Sequence, residues 1–250
     1  MSEASVAPSP AASDAGGGFL GNLLNMYFEP RKAFASILRR PLLLAALAAY
    51  VAIVLGFTGV WMSKMDPHEF MKTQIEESPR ADKMTAEQKQ QIIETQAKMM
   101  PILGWVFGPV FIAILLLVVS GGLMFVFRFF YGGDVGFKQA LAIVTWTFLA
   151  VSIISVPVTL SVLALKGDWN LDPNQAVQAN LGLLLDKSTA AKPLWSLFTS
   201  IDAFVLWMVF LLAVGFGVAC KKPTSSTLWG VVIPWLVEGL AVGSHSSCAS

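Results

Sequence analysis

Charge is scarce in this chain of 250 residues: 17 Lys and Arg and 16 Asp and Glu make up only 13% of it. Soluble domains carry about 25% charged residues. With 55% of residues hydrophobic, a soluble globular class is excluded in favour of a membrane protein. A net charge of +1 leaves no strongly basic surface, so no nucleic-acid partner is expected.

Histidine and cysteine are scarcer still. His68 and His245 lie in a loop and a tail rather than in apolar stretches. No H-E-x-x-H occurs, which removes a zinc protease. No histidine stands within a span to serve an intramembrane serine. The cysteines are Cys220 and Cys248. The topology argued below puts them on opposite sides of the membrane, so a disulfide between them is excluded, and a metal site needs more ligands than two thiols. Neither a metal nor a cofactor is expected. A signal peptide is not expected either. The opening "MSEASVAPSPAASDAGGG" lacks a basic n-region and an apolar h-region; it reads as a disordered tail over 1–18.

Long apolar runs are abundant. Five stretches have the roughly 20 residues a spanning helix needs: about 42–62, 102–127, 140–163, 194–219 and 224–242. Pro109 and Pro157 fall inside two of them, and the last contains Pro234 and Glu238. Neighbouring helices can satisfy the carbonyls such kinks release. The expected fold is an all-α, polytopic, five-transmembrane-helix bundle over 19–243, with a flexible tail after it. Orientation follows from Lys and Arg near the span ends. Arg31, Lys32, Arg39 and Arg40 precede the first span, Arg128 and Lys138 lie in the short loop between the second and third, and Lys221 and Lys222 lie in the short loop between the fourth and fifth. The two long loops mix nine basic with ten acidic residues and carry no positive bias. The N-terminus is therefore expected in the cytoplasm and the C-terminus outside.

Ahead of the first span lies "FLGNLLNMYFEPRKAFASILRRP". Its apolar residues recur at helical spacing on both sides of Pro30. One or two amphipathic helices on the inner membrane surface are expected, with Arg31, Lys32, Arg39 and Arg40 reaching anionic head groups; a helix packed on the bundle is the other reading. The insertion 63–101 reads as a helical hairpin outside the membrane. Thr85 and Gln88 form a capping box there, and Met71, Ile75, Met84, Ile92, Ile93, Met99 and Met100 form its apolar stripe. Its methionines read as packing rather than copper ligands. In the loop 166–193, residues 176–185 read as a short interfacial helix, and Trp169 and Trp195 fit an outer aromatic belt.

No catalytic set emerges, so no enzyme is expected. Gly133-Asp134 sits in a basic loop, whereas aspartic chemistry within a membrane needs two aspartates in spans sharing a proton. "YGGDVG" lacks the Lys-Ser/Thr of a phosphate loop and reads as a tight turn with glycines at positive φ. The buried charges are Asp202 and Glu238. An acid at a helix centre costs about 2.5–3.5 kcal/mol on insertion scales. Counting from 194 at 1.5 Å per residue puts Asp202 roughly 12 Å deep from the outer surface, with Glu238 roughly 6 Å deep. Ser155 and Thr159 reach a similar level, so one intramembrane polar cluster of the four residues is permitted. Two readings stay open: interhelical glue, or a carboxylate pair whose shared proton couples to transport in a small transporter or channel subunit.

Several stretches read in order resemble one family. They are "FEPRKAFASILRRP", "GDVGFKQALAIVTWTFL", "SIDAFVLWMVFLLAVGFG" and "VVIPWLV". Together they resemble the Yip (Ypt/Rab-interacting protein) family of five-span membrane proteins, in its bacterial-type branch. Pro30, Pro41, the run 137–140, Ile201, Asp202, Trp207 and Gly215 carry the match. The resemblance implies a five-helix bundle with a cytoplasmic N-terminus in a bacterial inner membrane. It also implies a trafficking-type or membrane-organising adapter that binds the lipid bilayer and membrane-protein partners, or itself. The acidic Asp-Leu-Tyr-Gly-Pro motif of the eukaryotic branch is absent, which argues against a Rab-type GTPase as partner.

Overall fold

Proline placement decides where the first helices break. The computed structural model describes residues 17–76, 78, 81–176 and 202–245, with the side chains at 82, 174, 175 and 235–245 outside that description. Helix α1 (Phe19–Phe28) ends at Glu29, and α2 (Pro30–Arg39) starts with Pro30 at its first position. A proline there lacks an N–H that a helix start leaves unpaired anyway. Two helices thus replace one continuous amphipathic segment. Leu42 then turns the chain into α3 (Leu43–Met62) at φ 42° and ψ 38°, a left-handed conformation that costs a non-glycine residue about 1–3 kcal/mol.

The insertion contains α4 (Pro67–Glu76), a short 3₁₀ turn (Ala81–Lys83) and α5 (Ala86–Ile102). The capping box is present: Gln88 N–H donates to Thr85 Oγ1 at 3.2 Å, and Thr85 N–H donates to Gln88 Oε1 at 2.9 Å. The α4–α5 hairpin closes over Phe70, Ile75, Ile93 and Ala97. Ile75 and Ile93 of the expected stripe are buried, but Met99 is exposed. The buried phase of α5 runs through Ile93 and Ala97, which are four apart and share a helix face; Met99 lies off that face.

The boundary between insertion and second span differs from expectation. Helix α5 does not stop at Pro101. It continues through a π-helical turn (Leu103–Phe107) into α6 (Gly108–Phe129), making one apolar rod, Ala86–Phe129, of 44 residues. Prolines remove helical hydrogen bonds, and here Pro101 and Pro109 bracket the π turn, which re-registers the ladder between them. The turn also leans on α3. A Cβ on Gly59 would lie 3.1 Å from the Trp105 ring, and one on Gly104 would lie 2.6 Å from Met62 Cε.

Helix α7 (Phe137–Lys166) is the axis of the bundle. Its 30 residues extend about 45 Å at 1.5 Å each, more than the roughly 30 Å of a hydrocarbon core. From Ala140 to Val151 it is buried on nearly every side, against α2, α3, α6 and α9. After the four-residue α8 (Pro173–Ala176), α9 (Ala203–Ala219) and α10 (Thr224–His245) complete the described chain. Among the described residues three helices are long and apolar enough to cross a membrane: Leu43–Met62, Ala86–Phe129 and Phe137–Lys166. Ala203–Ala219 is apolar but shorter. The three fall on the first three expected spans, and the shorter apolar helix and α10 fall where the fourth and fifth are expected. The start of the fourth, the expected helix 176–185 (beyond Ala176) and Trp195 lie outside the described residues. Large side chains such as Leu44, Phe129 and Leu165 point outward, at 82%, 76% and 88% exposure. That surface suits lipid rather than water.

Candidate functional site

The two turns at one end of the bundle interlock. Tyr131 O–H donates to Ser226 C=O at 3.0 Å, and Lys222 Nζ stands 5.7 Å above the Tyr131 ring. Gly132 takes φ 60°, as the "YGGDVG" turn requires, and a Cβ on Gly133 would overlap Cys220 Sγ. Cys220 is half-buried. Burial pushes its thiol pKa up, and the nearby Lys222 ammonium pulls it partly back.

The α1–α2 pair is fastened to this frame along one face. Tyr27 O–H donates to Ala150 C=O at 2.8 Å, and its ring lies 5.4 Å from Trp207. Burial raises the Tyr27 pKa. Phe19 packs at 5.1 Å on Trp146, whose indole N–H donates to Pro41 C=O at 2.7 Å. Met26, Ala33, Phe34 and Ile37 are fully buried. Phe34 enters the space left by Gly215 on α9, where a Cβ would stand 3.0 Å from its Cε1. Of the two readings of this segment, the packed one describes its inner face. The outer face remains open: Leu20, Leu24 and Phe28, spaced by four, are 70%, 58% and 82% exposed.

The basic residues stand around this pair. Arg31 Nη1 donates to Thr224 Oγ1 at 3.2 Å, and Lys32 pairs with Glu29 at 3.3 Å, three residues back on an exposed surface. Such a pair contributes little stability. Arg39 and Arg40 are exposed. Arg128 on the last turn of α6, Lys138 on the first turn of α7, and Lys221 and Lys222 between α9 and α10 belong to the same end.

Asp202 has a local partner in the backbone of its own helix. It is the N-cap of α9, extended at φ −111° and ψ 172°, and its Oδ1 accepts from Val205 N–H at 2.7 Å. A side-chain oxygen there satisfies an orphan amide and contributes typically about 1 kcal/mol. Its charge also opposes the helix dipole favourably. The signal was available: an Asp immediately before an apolar run marks a helix start. Ser155 and Thr159 sit half-buried on α7, and no described hydrogen bond joins either to Asp202. Glu238 lies on α10 with its side chain outside the described residues. Of the four expected cluster members, Ser155 and Thr159 stand one helical turn apart on α7, Asp202 caps its own helix, and the Glu238 side chain lies outside the described residues.

Buried polar groups appear elsewhere. Asn22 on α1 is fully buried with neither amide atom hydrogen-bonded among the described residues, and the Thr145 and Thr147 hydroxyls of α7 are buried likewise. Among the described residues no group of three His, Cys, Asp or Glu could hold a metal ion.

A protein-family model described as Yip1 domain matches residues 24–244. The chain belongs to the Yip1 domain family. The match begins inside α1 and ends within α10, so the second half of α1, all of α2, the basic end and the Asp202 cap belong to the Yip1 domain. With its apolar helices, this Yip1-domain protein is a multi-pass membrane protein of a family not known as enzymes. No curated protein and no solved structure matches the chain.

Proposed function

We propose that this Yip1-domain protein is a non-enzymatic organiser of a bacterial cytoplasmic membrane, acting as an adapter that binds lipid and protein partners. One observation carries the reading. The α1–α2 pair is anchored inward through Phe34 and Tyr27, while Leu20, Leu24 and Phe28 face outward beside exposed basic residues. An apolar stripe flanked by cations is the pattern of a helix lying in the headgroup boundary. Inserted into one leaflet and fixed to a bundle, it acts as a wedge. The basic residues at this end support a cytoplasmic placement for it, because short cytoplasmic segments carry excess Lys and Arg. The C-terminus is then outside.

The full chain reconstituted into anionic vesicles tests the proposal. Wild-type protein is expected to deform or tubulate them as its density rises. A variant with Leu20, Leu24 and Phe28 all changed to Gln is expected to insert equally but leave them spherical. Equal deformation by both proteins contradicts the reading.

A further inference from the structure

Two grooves open at the basic end, and their chemistry differs. The first, of about 450 Å³, is lined by Glu29, Arg31, Lys32, Phe210 and Thr224 among others. Its cations are already engaged, Lys32 by Glu29 and Arg31 by Thr224. The second, of about 180 Å³, lies between the end of α2 and the start of α7. Arg39 and Lys138 form its rim, and neither makes an ion pair or side-chain hydrogen bond among the described residues. No carboxylate lines it.

Two acceptors of this second groove are engaged internally. Pro41 C=O receives the Trp146 indole N–H at 2.7 Å, and Gln139 Oε1 receives Gly136 N–H at 3.0 Å. Gln139 is left with its Nε2 donor. The charged and polar side chains that line the groove offer a guanidinium, an ammonium and an amide N–H₂, which together match an anionic oxygen cluster. Its floor is apolar, with Ile37 and Ala142 fully buried. Leu44, three residues beyond Pro41, and Phe137, next to Lys138, are exposed apolar side chains. A small inorganic anion has no use for such surroundings, whereas a lipid has.

We propose that the Arg39–Lys138 groove holds the phosphate of an anionic glycerophospholipid from the surrounding leaflet. Arg39 supplies a planar fork to the phosphate oxygens, Lys138 a point charge, and Gln139 a neutral donor. This rests on the reading that the basic end lies at the bilayer interface, and it names one lipid contact of the proposed organiser.

Native mass spectrometry of the full chain in detergent, titrated with phosphatidylglycerol or phosphatidylcholine, tests it. Wild-type protein is expected to prefer phosphatidylglycerol. A surface Lys or Arg contributes about five-fold to anionic-lipid binding, so the double variant R39Q/K138Q is expected to lose about 20- to 30-fold for phosphatidylglycerol and little for phosphatidylcholine. R39K/K138R, which keeps both charges, is expected to retain most of the preference, and unchanged helicity in both variants shows that they fold. Sodium phosphate at millimolar concentration is expected not to displace the lipid. The proposal is overturned if wild-type protein holds the two lipids equally, if R39Q/K138Q keeps its preference, or if free phosphate displaces the lipid as a simple competitor. Vesicle deformation is a separate readout. Lost deformation with intact lipid preference removes the organiser and leaves this site; the reverse result removes the site alone.

Discussion

Phe34 occupies the space that the missing side chain of Gly215 leaves on α9. A Cβ at Gly215 would meet Phe34 Cε1 at 3.0 Å and Ile143 Cγ2 at 2.5 Å. Three helices, α2, α7 and α9, therefore meet at a point where no side chain fits. Gly215→Val is expected to push α2 off the bundle. Overpacking of this kind costs typically about 1–3 kcal/mol, read as a lowered Tm in detergent and as faster hydrogen exchange along α2. Unchanged exchange in α2 would show that the docking does not depend on this contact.

The Asp202 cap separates a structural carboxylate from a proton carrier. Asn caps helices about as well as Asp, whereas Ala costs about 0.5–2 kcal/mol. Asp202→Asn is expected to leave thermal stability near wild type and Asp202→Ala to lower it. A transport role for Asp202 predicts instead that proton-coupled flux in proteoliposomes, measured against empty vesicles, appears with wild type and vanishes with Asn.

The Tyr27 hydroxyl bridges α1 to the middle of α7. Removing it in Tyr27→Phe leaves Ala150 C=O within its own helix ladder, so the expected loss is that of a single net hydrogen bond, about 0.5–1.5 kcal/mol. The sign of the pH effect follows from burial. The folded-state pKa of Tyr27 is raised, so the folded protein holds this proton at pH values where the unfolded chain has released it. Its contribution is intact below the ordinary tyrosine pKa of about 10 and is lost as pH climbs above that. Wild type is expected to lose more stability than Tyr27→Phe between neutral and strongly alkaline pH; parallel curves contradict this.

Cys220 gives a second titration. With Cys248→Ser removing the other thiol, maleimide alkylation of Cys220 is expected to reach half-rate at higher pH than a free cysteine, because burial disfavours the thiolate. Lys222→Gln is expected to move that midpoint further up, since it removes the charge that favours the thiolate. A midpoint unmoved by Lys222→Gln would contradict the assigned cause.

What the sequence makes legible is what is encoded locally. Thr85 and Gln88 specify their capping box within four residues, Pro30 sets the break between α1 and α2, and the glycines after Tyr131 set the turn. The run of α5 into α6 was hidden because Pro101 reads as a boundary; a π turn between two prolines is a tertiary solution, wedged against Gly59 and Met62. The docking of α1–α2 was hidden for a similar reason, since Phe34 and Gly215 are far apart in the chain and only folding pairs them. Asp202 carries a readable cap signal, but a residue count from 194 places it inside a helix rather than at its start. Lys138 entered the charge count of a loop, but its place opposite Arg39 depends on the crossing of α2 and α7.

The central claim is that the outer face of α1 lies in the lipid boundary. Spin labels at Leu24→Cys and, for comparison, Arg31→Cys, in full-length protein lacking Cys220 and Cys248, measure this directly by collision with oxygen and with a water-soluble nickel chelate in anionic bilayers. The account predicts that the Leu24 label favours oxygen, at a depth of about 5–10 Å below the headgroups, while the Arg31 label favours the chelate. A Leu24 label as accessible to the chelate as Arg31 would contradict it.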